Sequence, residues 1–124
     1  MKAISIRQPW ADAIIWHGKD VENRNWPTTF RGPVLIHAAK AWGQDERDDL
    51  DFIEGVTGTK LETMRPLLGG IIGQAEIVDC VTAMNSKWFF GRYGFVIKNA
   101  KPLPFRPCRG ALGFFEPSPH DMQS

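Results

Sequence analysis

Short apolar stretches, separated by glycine and proline, run through most of the chain. Near the N-terminus, Ile4 and Ile6 alternate with polar residues, which is typical of a half-buried strand. Four further strands are predicted from apolar or alternating runs, over residues 34–38, 71–81, 91–99 and 111–115. Gly73 lies inside the second of these runs and indicates a bulge or sharp bend.

Helical spacing is confined to the first half of the chain. A helix of about ten residues is predicted after Pro9, with Gly18 as its left-handed stop. An acidic helix is predicted over residues 41–53, with Trp42, Leu50 and Ile53 on its buried side, and a shorter one over residues 57–68. The pattern favours an α+β fold: a small, partly open β-barrel of about five to six strands with two to three helices.

Length and composition are those of a globular protein. The 124 residues, 43% of them hydrophobic, predict a single domain over residues 1–117 and a disordered tail over residues 118–124. The apolar runs are too short to span a bilayer, so no membrane association is expected, and the cytoplasm is the expected location. Cys80 and Cys108 lie in no CxxC motif and have no neighbouring histidine, and neither a metal nor a cofactor is expected.

The net charge of +1 hides a segregation of charge. Residues 41–55 hold six acidic residues and one arginine, a local charge of −5, so the rest of the chain is basic. A basic face would suit an anionic partner such as nucleic acid. The acidic helix is equally consistent with a solvated surface or with a surface that binds another protein.

The segment "HGKDVENRNW", residues 17–26, mixes charges with a tryptophan. If the chain is extended after the helix, Glu22, Arg24 and Trp26 project from one face, with Lys19 beside them. Two cations on a small surface can hold a phosphate or a carboxylate, and a tryptophan can stack on a base. The alternative is an ordinary Glu22–Arg24 ion pair, with Trp26 covering one end of the barrel.

Several segments together resemble one family. "SIRQPWADAIIWHGKDVENRNW" is similar to the opening of an ASCH domain (activating signal cointegrator homology domain), whose signature Gly-x-Lys-x-x-Glu-x-Arg is matched by Gly18, Lys19, Glu22 and Arg24. The segments "FRGPVLIHAAK" and "RGALGFFEP" also resemble members of this family, so the resemblance spans residues 3–117. It implies a PUA-like barrel and a cleft, lined by the signature side chains, that faces RNA, a nucleotide or a modified base.

The resemblance leaves catalysis open. Some bacterial members of the family are ribonucleases or amidohydrolases that deacylate a modified cytidine. The amidohydrolases carry a threonine nucleophile at the position of Glu22, so the sequence lacks the hydroxyl that this route needs. A metal-independent ribonuclease would use Glu22 as the base and Lys19 and Arg24 as electrostatic stabilisers, with Lys19 as the alternative base.

Further residues are candidates for the same ligand because they are basic or aromatic and lie on predicted loops or strand ends. Besides Lys19, Glu22 and Arg24, the binding candidates are Trp26, Arg31, Lys40, Tyr93 and Arg109. His37, within an apolar strand, is expected to be a hydrogen-bonded core residue.

Three functions therefore remain open. The first is an RNA-binding or nucleic-acid-binding module, and the second is a hydrolase acting on RNA or on a modified nucleoside. The third is a non-catalytic protein-interaction domain that uses the acidic helix, residues 45–54.

Overall fold

A computed structural model describes residues 1–59 and 66–117 of the chain. In chain order its elements are β1 (Ala3–Ile6), α1 (Trp10–Trp16), β2 (Val21–Arg24), β3 (Gly32–Ala38), α2 (Gln44–Thr57), β4 (Gly70–Val81), β5 (Tyr93–Pro107) and β6 (Phe114–Phe115).

The six strands form one sheet in the order β2-β5-β4-β3-β1-β6. β1 pairs with β3 in parallel, and every other pair is antiparallel. The sheet curls into a half-barrel whose two edge strands, β2 and β6, are not paired with each other. The expectation of an α+β, partly open PUA-like barrel is confirmed, with two helices and six strands in the described part of the chain.

The concave side of the sheet is filled mainly by isoleucine side chains and by α1. The buried face of α1 consists of Ala11, Ala13, Ile14 and Ile15. The helix approaches closely at Gly73, where a Cβ atom would lie 2.4 Å from Ile15 Cδ1. The predicted irregularity at Gly73 is confirmed, because the register of β4 against β5 shifts between residues 71 and 73.

The acidic helix α2 begins three residues later than predicted and ends four residues later. Glu46 sets its start, because the Glu46 carboxylate accepts a hydrogen bond from the Gly43 N–H at 2.7 Å. Gly58, with a φ of 70°, ends it. Ile53 is fully buried as expected, whereas Trp42 lies before the helix rather than on its buried side.

The Pro-rich segment after residue 99 was expected to separate two strands, and this expectation is wrong. β5 continues through it to Pro107. β2 pairs only with residues 93–96 of β5, so the later part of β5 has a neighbour only on the β4 side. Proline has no N–H to donate, and a strand without a neighbour on one side needs no donor there. This part of β5 therefore tolerates its prolines. The last strand is correspondingly shorter than predicted, only Phe114–Phe115.

Two expectations fall wholly or partly on residues that are not described. Half of the helix predicted over residues 57–68, namely residues 60–65, and the whole of the tail over residues 118–124 lie outside the described residues. The division into a domain of residues 1–117 and a tail stays a prediction. Neither α1 nor α2, the helices of the described chain, has the length and apolar character that crossing a bilayer requires.

Candidate functional site

A cleft of about 570 Å³ opens where β1, β2 and the start of α1 meet α2 and the loop that precedes β5. Its walls combine charged, amide and aromatic side chains. The lining residues are Ser5, Ile6, Arg7, Trp10, Lys19, Glu22, Asn23, Arg24, Asn25, Trp26, Asp49, Phe90 and Gly91.

A chain of ion pairs forms one side of the cleft. Gly18, with a φ of 73°, turns the chain from α1 towards β2, and Lys19 is only 3% exposed. Lys19 Nζ donates to Glu22 Oε1 at 3.0 Å and to the Val21 carbonyl oxygen. The other oxygen, Glu22 Oε2, accepts from Arg24 Nε at 3.1 Å and lies 3.0 Å from Nη2. Glu22 therefore holds both cations in fixed positions.

Arg24 also connects the two sides of the open barrel. β6 pairs with only Ala3 and Ile4 of β1. The next carbonyl oxygen along β1, that of Ser5, accepts a hydrogen bond from Arg24 Nη2 at 2.9 Å. The guanidinium thus joins β2 to β1 where the strands themselves are not paired, and this contact fixes the width of the cleft.

Aromatic rings flank both cations. The Trp10 ring centroid lies 5.6 Å from Lys19 Nζ, and the Trp26 ring centroid lies 6.0 Å from the Arg24 guanidinium carbon. Trp26 packs edge-on against Phe95 at 5.1 Å while it lines the cleft. The Trp26 ring therefore packs on the core and also forms part of the cleft wall. The two roles considered for it from the sequence, stacking on a base and covering one end of the barrel, do not exclude each other.

The cleft is close to electrically balanced. Arg7, Lys19 and Arg24 contribute three positive charges, and Glu22 and Asp49 contribute two negative charges. Lys19 and Arg24 share Glu22, which leaves this group with one positive charge, and Asp49 in the same lining offsets that charge.

Two polar groups of the cleft retain hydrogen-bonding capacity. Within residues 1–59 and 66–117, Arg24 Nη1 and the Asn25 side-chain amide have no hydrogen-bond partner. The amide provides a donor and an acceptor, and the guanidinium provides donors. A neutral, planar ligand with a mixed donor–acceptor edge fits these groups better than a row of phosphates does.

The other predicted binding residues are not brought to this cleft. Arg31 hydrogen-bonds the carbonyls of its own turn and faces Asp79 at 3.6 Å. The Lys40 side chain packs over Gly69, and the Tyr93 ring lies beneath Arg92. The lining residues, all drawn from the described part of the chain, include none of the four residues Arg31, Lys40, Tyr93 and Arg109.

Three charged or aromatic lining residues were not foreseen from the sequence: Arg7, Trp10 and Asp49. Arg7 Nη1 pairs with Glu46 of α2 at 3.0 Å, and Trp10 Nε1 donates to Asp49 at 2.9 Å. These two contacts bring the acidic helix to the rim of the cleft. For Arg7 and Trp10 the only signal in the sequence was that "RQPW" lies shortly before the signature residues. That position gives no information about the contacts with α2.

His37 occupies a separate, buried site, as expected for a core histidine. Its Nδ1 lies 2.9 Å from Ser5 Oγ, and its Nε2 lies 2.9 Å from the Cys108 carbonyl oxygen. Burial lowers the pKa of His37, and the hydrogen bond to Cys108 opposes this shift in part. The neutral ring donates to Cys108 through Nε2 and accepts from the Ser5 hydroxyl, so it ties β3 to β1 and to the segment after β5.

In the described chain, no group of three or more His, Cys, Asp and Glu side chains is arranged to hold a metal ion.

Comparison with protein families gives a match to a model described as the ASCH domain, over residues 4–103. The matched range begins in β1, ends within β5 and includes the whole Lys19–Glu22–Arg24 chain of ion pairs. No curated protein matches the sequence.

Proposed function

The chain belongs to the ASCH domain family, and we propose that it binds single-stranded RNA by taking one unpaired base into the cleft. Domains of this family are generally regarded as PUA-like modules that bind nucleic acid. The finer assignments, to RNA and to this cleft, are part of the proposal.

One observation carries the proposal. The buried Lys19–Glu22–Arg24 chain fixes a guanidinium beside a tryptophan in a cleft whose size suits a small planar ligand. An unpaired base offers a flat face for stacking and an edge of alternating donors and acceptors. Arg24 Nη1 and the Asn25 amide are the groups that we assign to that edge.

The charge of the cleft favours a base over a phosphate. Glu22 balances only one of the two positive charges of Lys19 and Arg24, and Asp49 adds a second carboxylate. A backbone phosphate placed here would be repelled by both carboxylates, and this repulsion offsets most of its attraction to the cations. A neutral base has no such penalty.

The same contacts support binding more than hydrolysis. Both carboxylate oxygens of Glu22 already accept hydrogen bonds from cationic groups, so Glu22 is poorly placed to remove a ribose hydroxyl proton. Two acidic side chains of α2 already have partners inside the protein, since Glu46 accepts from Arg7 and Asp49 accepts from Trp10. These two carboxylates are therefore less available to a protein partner. We therefore place both alternatives after RNA binding.

The test compares the wild type with Arg24→Ala for binding of a mixed-sequence single-stranded RNA, measured by fluorescence anisotropy at several salt concentrations. Arg106→Ala is the matched control, since Arg106 is exposed on β5 and does not line the cleft. The RNA is run on a denaturing gel after incubation, and circular dichroism checks the fold of each variant.

We expect intact RNA, binding that weakens with salt, and a loss of affinity of about tenfold in Arg24→Ala but not in Arg106→Ala. Equal affinity of Arg24→Ala and wild type would exclude this cleft as the site. RNA cleavage by the wild type that is lost in Arg24→Ala would replace the binding module with a ribonuclease.

A further inference from the structure

We propose that Phe90 and Phe52 form an aromatic shelf at the mouth of the cleft, and that this shelf stacks a second unpaired base next to the one inside. The inference rests on the proposed RNA binding and extends it, since it makes the ligand a single strand of at least two consecutive unpaired nucleotides. The aromatic shelf is defined here as the rings of Phe52 and Phe90.

The two rings are exposed although they contact each other. Phe90 is 51% exposed and Phe52 is 41% exposed, and their centroids are 5.7 Å apart at an interplanar angle of 69°. In such an edge-to-face contact, at most one of the four ring faces is covered by the neighbouring ring. The pair therefore presents open aromatic faces to solvent.

The shelf is continuous with the cleft. Phe90 and Trp10 both line the cleft, and Trp10 contacts Phe52 with a centroid distance of 5.9 Å. Aromatic surface therefore runs from Trp10, beside the buried Lys19, to the outer rim of the mouth. The base that follows a cleft-bound base along a strand would meet this surface first.

Asn23 fixes the loop that carries the outer ring of the shelf. Asn23 Oδ1 accepts a hydrogen bond from the Phe90 N–H at 3.0 Å, and Asn23 Nδ2 donates to the Trp88 carbonyl oxygen at 2.9 Å. Trp88 is buried, so both ends of this short loop segment are held. An exposed phenylalanine on a backbone fixed from β2 is a preorganised stacking surface, which lowers the entropic cost of binding.

The cations on the loop side of the aromatic shelf suit a nucleic acid as the occupant, and the acidic residues on the helix side limit the path that its backbone can take. Lys87 and Arg92, both exposed, flank Phe90 in the same loop. Asp48 and Asp51, also exposed, lie on α2 beside Phe52. A phosphate that follows the stacked base is attracted towards the loop and repelled by the helix, so the strand leaves the cleft on the side of Arg92.

The experiment measures the affinity of wild type, Phe90→Ala and Phe90→Trp for two probes. One probe is the mixed-sequence single-stranded RNA, and the other is an equimolar mixture of the four ribonucleoside monophosphates, which can occupy the cleft but not cleft and shelf together. Trp16→Ala is the matched control, because Trp16 is an exposed aromatic residue, 58% exposed, that does not line the cleft.

We expect Phe90→Ala to weaken RNA binding by about fivefold or more and, because Phe90 also lines the cleft, to lower the affinity for the monophosphates by a smaller factor. Phe90→Trp should restore RNA binding, and Trp16→Ala should resemble the wild type. A drop in monophosphate affinity as large as the drop in RNA affinity would make Phe90 part of the cleft wall only and overturn the inference.

The remaining outcomes separate this inference from the proposed function. If Arg24→Ala weakens RNA binding and Phe90→Ala does not, the cleft binds RNA and the shelf serves another class of partner, such as a protein. If the wild type binds neither probe, the proposed function fails, and the inference fails with it.

Discussion

Replacing Glu22 by glutamine tests whether the Lys19–Glu22–Arg24 chain is a buried structural unit. The carboxylate makes three contacts of 3.0–3.1 Å with two cations, and the Lys19 and Glu22 side chains are only 2% and 10% exposed. Glutamine has nearly the same shape and keeps one acceptor oxygen, so the change removes charge while it preserves volume. Lys19 is then left as a buried ammonium group without a counter-ion.

The expected cost follows from that isolated charge. Removing one partner of a buried ion pair costs about 3–5 kcal/mol, and the retained amide oxygen favours the lower end, about 3 kcal/mol. For a domain of this size each kcal/mol lowers the melting temperature by about 4 °C, so a decrease of about 12 °C is expected. This is a large share of a total stability of about 5–15 kcal/mol.

The assay is urea and thermal unfolding followed by circular dichroism. Asp79→Asn is the control, since Asp79 is 58% exposed and lies 3.6 Å from Arg31, and its loss should cost at most about 1 kcal/mol. The double variant Lys19→Met/Glu22→Gln removes the isolated charge and should lose less than the sum of the two single variants. Equal small losses in Glu22→Gln and Asp79→Asn, with additivity in the double variant, would refute the reasoning.

Three further predictions concern packing, pH and charge. At Gly73 a methyl group would lie 2.4 Å from a side chain of α1 and 2.6 Å from a β5 carbonyl oxygen, so Gly73→Ala should cost about 1–3 kcal/mol in urea unfolding. Gly55→Ala, with open space in the last turn of α2, should instead stabilise by up to about 1 kcal/mol. Burial lowers the pKa of His37 from 6.5, so the unfolded chain takes up a proton first and stability should fall as the pH decreases below 6.5. In His37→Gln the free energy of unfolding, measured above and below pH 6.5, should depend less on pH than in the wild type. An unchanged pH dependence would exclude His37 as the cause of the loss of stability at low pH. Neutralising exposed charge in Asp48→Asn/Asp51→Asn should raise RNA affinity severalfold at low salt and not at high salt, and no change in anisotropy titrations would count against the proposed path of the strand.

Local signals in the sequence predicted the first strand and the turn into the cleft well. Ile4 and Ile6 alternate with polar residues, and they form β1. Gly18 has the positive φ that a left-handed stop requires. In both cases the information is contained in neighbouring residues, because strand alternation and helix termination are local properties.

The predictions that were wrong depend on pairing between distant segments. The prolines after residue 99 were interpreted as a break because nothing local indicates that β2 is too short to pair with that part of β5. The contact of Trp10 with Asp49 joins residues 39 positions apart, and no spacing pattern reports it. The sequence therefore identified the Lys19–Glu22–Arg24 chain but not the wall that α2 adds to the cleft.

The proposed ligand gives a better reason for the chain of ion pairs than stability does. A buried ion pair is often no more stabilising than apolar residues of equal volume, so the fold alone gives little reason for three charges at this place. Apolar residues could not hold a guanidinium between β1 and β2, where Arg24 Nη2 donates to the Ser5 carbonyl oxygen. Glu22 fixes Arg24, Arg24 joins the strands, and Asn23 on the same strand fixes the Phe90 loop. Three residues of one short strand, Glu22, Asn23 and Arg24 of β2, thus connect β2 to β1 and to the Phe90 loop, which gives a reason for the polar side chains concentrated in this strand.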